Sequence, residues 1–209
     1  MNTLVDFFID PYRNAEVTHI ILELLAALFG VISVFYAKKE NILVFPTGII
    51  STGIYVYLLS QWSLYGDLVI NIYYTLMSIY GWYIWTYKSD GEHETPITRT
   101  TLKEKKLSVL IFITTLIFVY AVYTYFEKWT SWTAYIDTIT TAIFFVGMWL
   151  MAKRKIENWI YWIIGDIIST PLYFYKGFTF SSFQYLIFTF IAVFGYITWK
   201  KNLNKNLLT

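Results

Sequence analysis

The 209-residue chain contains no cysteine, so disulfides and thiolate metal sites are excluded. Its two histidines, His19 and His93, lie too far apart to give metal-ligand spacing. Charge is also scarce. Only 14% of residues are charged and 57% are hydrophobic, where a soluble domain carries roughly 25% charged residues. With a mean hydropathy of +0.50, the composition implies one membrane-embedded domain and leaves no room for a second, soluble one. The first basic residue, Arg13, follows an acidic stretch. A cleavable signal peptide opens with a basic region, so none is expected here. No block of basic residues suggests a nucleic-acid partner.

A bilayer core takes about 20 mainly apolar residues per helix. Seven segments qualify: Val17–Ala37, Ile42–Leu59, Leu68–Tyr87, Leu107–Phe126, Thr133–Ala152, Trp159–Tyr175 and Phe180–Trp199. The separators are short except for Lys88–Lys106, which reads as an exposed linker. With the N-terminus outside, the inner loops and tail collect thirteen basic residues, among them Lys38, Lys39, Lys103, Lys153, Arg154 and Lys200. The outer side holds only Arg13, Lys128 and Lys176. This bias predicts an N-out, C-in orientation.

Parts of the sequence recur. Glu40-Asn41 reappears as Glu157-Asn158, after which Phe45 and Gly48 align with Trp162 and Gly165. In that register Ile42 and Ile49 stand where the later copy has Trp159 and Asp166. Gly81–Trp85 and Gly195–Trp199 both read G-aromatic-x-x-W, and Ala37-Lys38-Lys39 echoes Ala152-Lys153-Arg154. Helices one to three (about 17–87) and five to seven (about 133–199) thus read as two copies of one unit. A linking helix (about 107–126) lets both copies point the same way. The expected fold is an all-α membrane protein with seven transmembrane helices in a 3+1+3 parallel internal repeat. Such repeats place a substrate near midplane, at the repeat interface.

The stretch Asn158–Thr170 carries the sharpest chemistry. Trp159, Trp162 and Asp166 fall at i, i+3 and i+7, on one helical face. Asp166 lies roughly 10 Å from the inner end on a 1.5 Å rise. Two indoles near a carboxylate suit a flat cation. Interfacial anchoring by the tryptophans, with Asp166 paired to a neighbouring helix, fits the same pattern. Elsewhere Asp67, Asn71, Tyr74 and Ser78 form one stripe, the second helix offers Gly48, Thr52 and Tyr55, and the seventh offers Ser181, Gln184 and Phe188. Glu23 and Asp137 read as structural acids near the outer end. Pro46 and Pro171 read as kinks inside helices, candidate hinges. No acid–histidine relay, nucleophile–base pair or metal cluster is visible, so facilitated diffusion is the simpler mechanism and no enzyme activity or cofactor is expected.

The runs Asn41–Leu58, Leu64–Trp85 and Glu157–Thr170, with the YGWYxW and ENWxxW patterns, resemble the Pnu vitamin transporters, most closely the PnuC type. The likeness spans nearly the whole chain. It implies a fold related to the SWEET carriers and uptake of nicotinamide riboside by facilitated diffusion across a bacterial inner membrane. It further implies trapping by a cytoplasmic kinase. Carried across, the vitamin contacts fall on Asn71, Tyr74, Trp159, Trp162, Asp166 and Gln184. Some riboside-type members have an amide at the position of Asp166 and Gln at that of Asn71, so thiamine, another cationic vitamin, is an alternative substrate. A membrane receptor is a more distant one. The sequence neither requires nor excludes a homo-oligomer.

Overall fold

The sharp turns after the first and fifth helices set the architecture. In the computed structural model, which describes residues 16–62, 65–86, 95–177 and 179–206, seven helices run in chain order. They are α1 (Val17–Lys38), α2 (Val44–Gln61), α3 (Tyr65–Thr86), α4 (Leu102–Tyr125), α5 (Thr133–Ala152), α6 (Asn158–Tyr175) and α7 (Thr179–Asn206). Arg13, Lys88, His93 and the end of the third expected segment at Tyr87 lie outside the described residues. Among the described residues, four helices are long and apolar enough to cross a membrane: α1, α4, α5 and α7. The other three, α2, α3 and α6, carry the Gly, Ser, Thr and aromatic-rich stripes, which lower their hydropathy.

The chain turns from α1 into α2 with Glu40 at φ 58°, and from α5 into α6 with Arg154 at φ 54°. At both turns the backbone closes in the same way. Glu40 N–H donates to Ala37 O and Asn41 N–H to Tyr36 O, while Arg154 N–H donates to Met151 O and Lys155 N–H to Leu150 O. These bonds satisfy carbonyls that a helix end leaves open. Glu40 and Arg154 then pair across the turns at 3.5 Å, and Asn202 of α7 donates to Glu40.

Helix neighbours run α1–α2–α3 and α5–α6–α7, and the two sets join through α1 against α7 and α3 against α5. Helix α4 stands outside this ring, mainly against α5. The joints are made by two indoles: Trp85 Nε1 donates to Met151 O at 3.3 Å, and Trp199 Nε1 donates to Ala37 O at 3.0 Å. The number of residues from Trp85 to Trp199 is the number from Ala37 to Met151, and also from Glu40 to Arg154. Phe45 and Trp159 stand at that same interval. Phe45 packs on Gly81, where an added methyl would stand 2.3 Å from its Cε1; Trp159 packs on Gly195, where a methyl would meet its ring at 2.7 Å. Thus Phe45, rather than Ile42, answers Trp159. The matching Glu-Asn dipeptides mislead because Glu40-Asn41 sits in the turn while Asn158 already opens α6.

Three further expectations change. Pro46 lies in the first turn of α2, where its missing N–H is not needed, so only Pro171 is an interior proline among the two. Helix α4 starts at Leu102 because Thr101 and Glu104 form a capping box. The linker is pinned at Thr95–Thr98, while Pro96, Arg99, Lys103, Lys105 and Lys106 are exposed as read. Thr98 N–H donates to Arg154 O, Ile156 N–H to Thr98 O and Arg154 Nη1 to Thr95 O, and Ile97 is 3% exposed. Asp137 is structural as read, paired with Lys176 at 2.7 Å.

Gly81→Ala and Gly195→Ala are expected to destabilise the protein by about 1–3 kcal/mol each through overpacking. Gly53, where nothing lies within 4 Å of an added methyl, serves as the control. Thermal unfolding in detergent should show a clear loss of Tm for the first two and none for Gly53→Ala.

Candidate functional site

Between the two helix sets lies a cavity of about 150 Å³. One water needs roughly 10–15 Å³ of such space, so the cavity is sized for a small molecule rather than a single ion or water. Helix α6 supplies Trp159, Trp162 and Asp166; α3 supplies Tyr74 and Ser78; α2 supplies Gly48, Ser51 and Thr52. The i, i+3, i+7 spacing read from the sequence therefore does place the two indoles and the carboxylate on one face, toward one space.

The two tryptophans differ. Trp159 is 1% exposed, stands edge-on to Trp199 at 5.5 Å and is wedged over Gly195. It holds the joint between α6 and α7 and offers the cavity only part of its surface. Trp162 is half-buried, stacks on Phe144 with ring centroids 5.4 Å apart and lies 6.5 Å from the Tyr74 ring. It has the more accessible aromatic surface for a planar ligand.

Asp166 is 2% exposed, yet among the described residues its carboxyl group has no hydrogen-bond or ion-pair partner. Its backbone carbonyl accepts from Thr170, an ordinary helical contact. Among the described residues, Asp166 makes no side-chain pair with a neighbouring helix of the kind the anchoring alternative requires. A buried carboxyl group without a partner is costly, and a cation entering the cavity removes that cost.

Asn71 and Gln184 do not line the cavity. Asn71 lies one turn before Tyr74 on α3, with its amide donating to Asp67 O. Gln184 lies one turn before Phe188, which does line it. Four pairs of positions at the interval defined by Trp85 and Trp199 line the cavity together: Gly48 and Trp162, Thr52 and Asp166, Tyr74 and Phe188, Ser78 and Ala192. Gly48, Thr52, Ser78 and Phe188 were visible as stripe positions in the sequence, but stripes alone did not single them out as a site.

Removing the carboxyl charge should therefore not destabilise the empty protein. Asp166→Asn is expected to keep or raise the Tm of the ligand-free protein, measured in detergent. A loss of more than about 3 kcal/mol, typical of a broken buried pair, would reveal a partner for Asp166.

The family model for nicotinamide mononucleotide transporters matches residues 20–201. The nicotinamide riboside transporter PnuC of Escherichia coli (strain K12) is 23% identical over 205 residues, covering 85% of this chain and 84% of the relative. PnuC of Neisseria mucosa is 28% identical over 187 residues, covering 84% of this chain and 70% of the relative. The crystal structure of the vitamin B3 transporter PnuC matches with a TM-score of 0.66 at 23% identity, over 97% of this chain and 87% of that one. At that identity the structural match establishes the fold.

Proposed function

The chain belongs to the nicotinamide mononucleotide transporter (PnuC) family, and from that premise we propose that it takes up nicotinamide riboside by facilitated diffusion. It is a multi-pass membrane protein of a transporter family, not an enzyme. In our reading all seven helices span a bacterial inner membrane, N-out and C-in, as a 3+1+3 parallel repeat forming one domain. The paired indole bonds of Trp85 and Trp199 and the matched turns at Glu40 and Arg154 support the repeat.

The observation that carries the substrate reading is Asp166, buried, without a partner among the described residues, and lining with Trp162 a cavity between the helix sets. A pyridinium ring stacks on Trp162 with its charge toward Asp166, and Tyr74 borders the same space. Trp159 shapes the wall and braces α7. Asn71 and Gln184, one turn outward on α3 and α7, meet the vitamin on its approach. A carboxylate that pairs with a permanent cation, with no second acid or histidine among the described residues of the cavity wall, suits a carrier that runs down its solute gradient. A cytoplasmic kinase then traps the product by phosphorylation and keeps that gradient inward.

Sealed vesicles holding only this protein should equilibrate nicotinamide riboside without exceeding the outside concentration. Accumulation above it on a pH step would overturn uniport. A cation–π contact is worth roughly 0.5–2 kcal/mol, so Trp162→Ala should raise the half-saturation constant several-fold. An unchanged constant in both Trp159→Ala and Trp162→Ala would remove the stacking model. Titration of the purified protein with thiamine in parallel decides between the two cationic vitamins.

A further inference from the structure

The chemistry of the cavity is divided between its walls. The carboxyl group and the indoles come from α6, and α7 adds the apolar Phe188 and Ala192. The hydroxyl groups come from α1, α2 and α3. Most of these hydroxyls are already committed. Ser33 donates to Val44 O at 2.7 Å, Ser51 to Ala26 O at 2.7 Å and Thr52 to Gly48 O at 2.9 Å.

Ser78 is the exception among the serines and threonine of the wall. It is 3% exposed and hydrogen-bonds to none of the described residues. Its neighbour across the helix boundary is Gly48, where an added methyl would stand 3.4 Å from the Ser78 Oγ and 3.1 Å from the Ser33 Oγ. The absent side chain at Gly48 therefore leaves the Ser78 hydroxyl uncovered on the cavity side. This hydroxyl faces the cavity, and a ligand group that hydrogen-bonds it there gains a net contact of about 0.5–1.5 kcal/mol. At the corresponding position on α7, Ala192 offers no such group. A site that must pair a hydroxyl also discriminates against a ligand lacking the matching group.

We propose that Ser78 is a specificity-determining residue whose hydroxyl hydrogen-bonds the uncharged, hydroxyl-bearing part of the cationic ligand. That part lies toward α3 and Gly48 while the charged ring lies toward Trp162 and Asp166. Gly48 acts as a positioning residue by keeping the hydroxyl bare. The inference rests on the cation-carrier reading above and adds which wall reads the substituent of the ring.

Two probes share one ring and differ in the substituent: nicotinamide riboside, and 1-methylnicotinamide, which keeps the cationic ring and has no sugar. Purified full-length protein should prefer the riboside, and Ser78→Ala should weaken riboside binding about 2- to 10-fold, as loss of one net hydrogen bond predicts. The affinity for 1-methylnicotinamide should stay unchanged, so the preference between the two narrows. Thermal unfolding of the ligand-free variant checks that it folds as the parent does. Equal weakening for both cations, an unchanged riboside affinity, or no preference in the parent protein would each overturn the role of Ser78 alone. Failure of the parent protein to bind the riboside would instead remove the cation-carrier reading, and this inference with it.

Discussion

Two indole N–H groups hold this bundle closed. Trp85 and Trp199 each reach from the third helix of one set to the last turn of the first helix of the other, and each ends on a backbone carbonyl there. Each of these carbonyls also accepts a turn N–H, from Arg154 or Glu40, so the indole takes the second lone pair and ties the neighbouring helix to the turn. The glycines four residues before them make the reach feasible. Gly81 and Gly195 let Phe45 and Trp159 press flush against α3 and α7, which brings α2 and α6 into line. Glu40 and Arg154 add an ion pair between the two turns, and Arg154 also stacks over Trp85 at 4.6 Å.

With one end closed in this way, the space between the helix sets is shaped by what each set places on its wall. Matched positions carry unlike side chains: Gly48 against Trp162, Thr52 against Asp166, Ser78 against Ala192. A carrier with two equal halves would offer two equal half-sites; unlike halves offer one site with a charged aromatic side and a hydroxyl side. In the proposed function that polarity orients a cationic vitamin. In the proposed repeat, a shared scaffold with unlike side chains would hold one ligand rather than two.

Much of this was legible in the sequence, because apolar length and the i, i+3, i+7 pattern depend only on local spacing. All seven helices were located, and Trp159, Trp162 and Asp166 do share a face. The register between the halves was less accessible. The Glu-Asn dipeptides gave a pairing three residues too long, because similar residues sit in a turn in one copy and at a helix start in the other. Asn71 and Gln184 share helices with lining residues, yet one turn of offset takes them off the wall, and a helical stripe does not say where along it a cavity closes. Thr101-Leu102-Lys103-Glu104 announced the start of α4, a local signal masked by the charge around it. The pinning of Ile97 and Thr98 by the α5–α6 turn had no local signal at all, since it depends on partners far along the chain.

The central claim is that one cationic ring sits between the halves, against Trp162 and Asp166. An experimental structure of the protein with nicotinamide riboside bound tests it most directly. The account predicts the pyridinium stacked on the Trp162 indole, its charge facing the Asp166 carboxylate and its sugar toward α3. A ring bound elsewhere, or reversed so that the sugar meets Asp166, would contradict it.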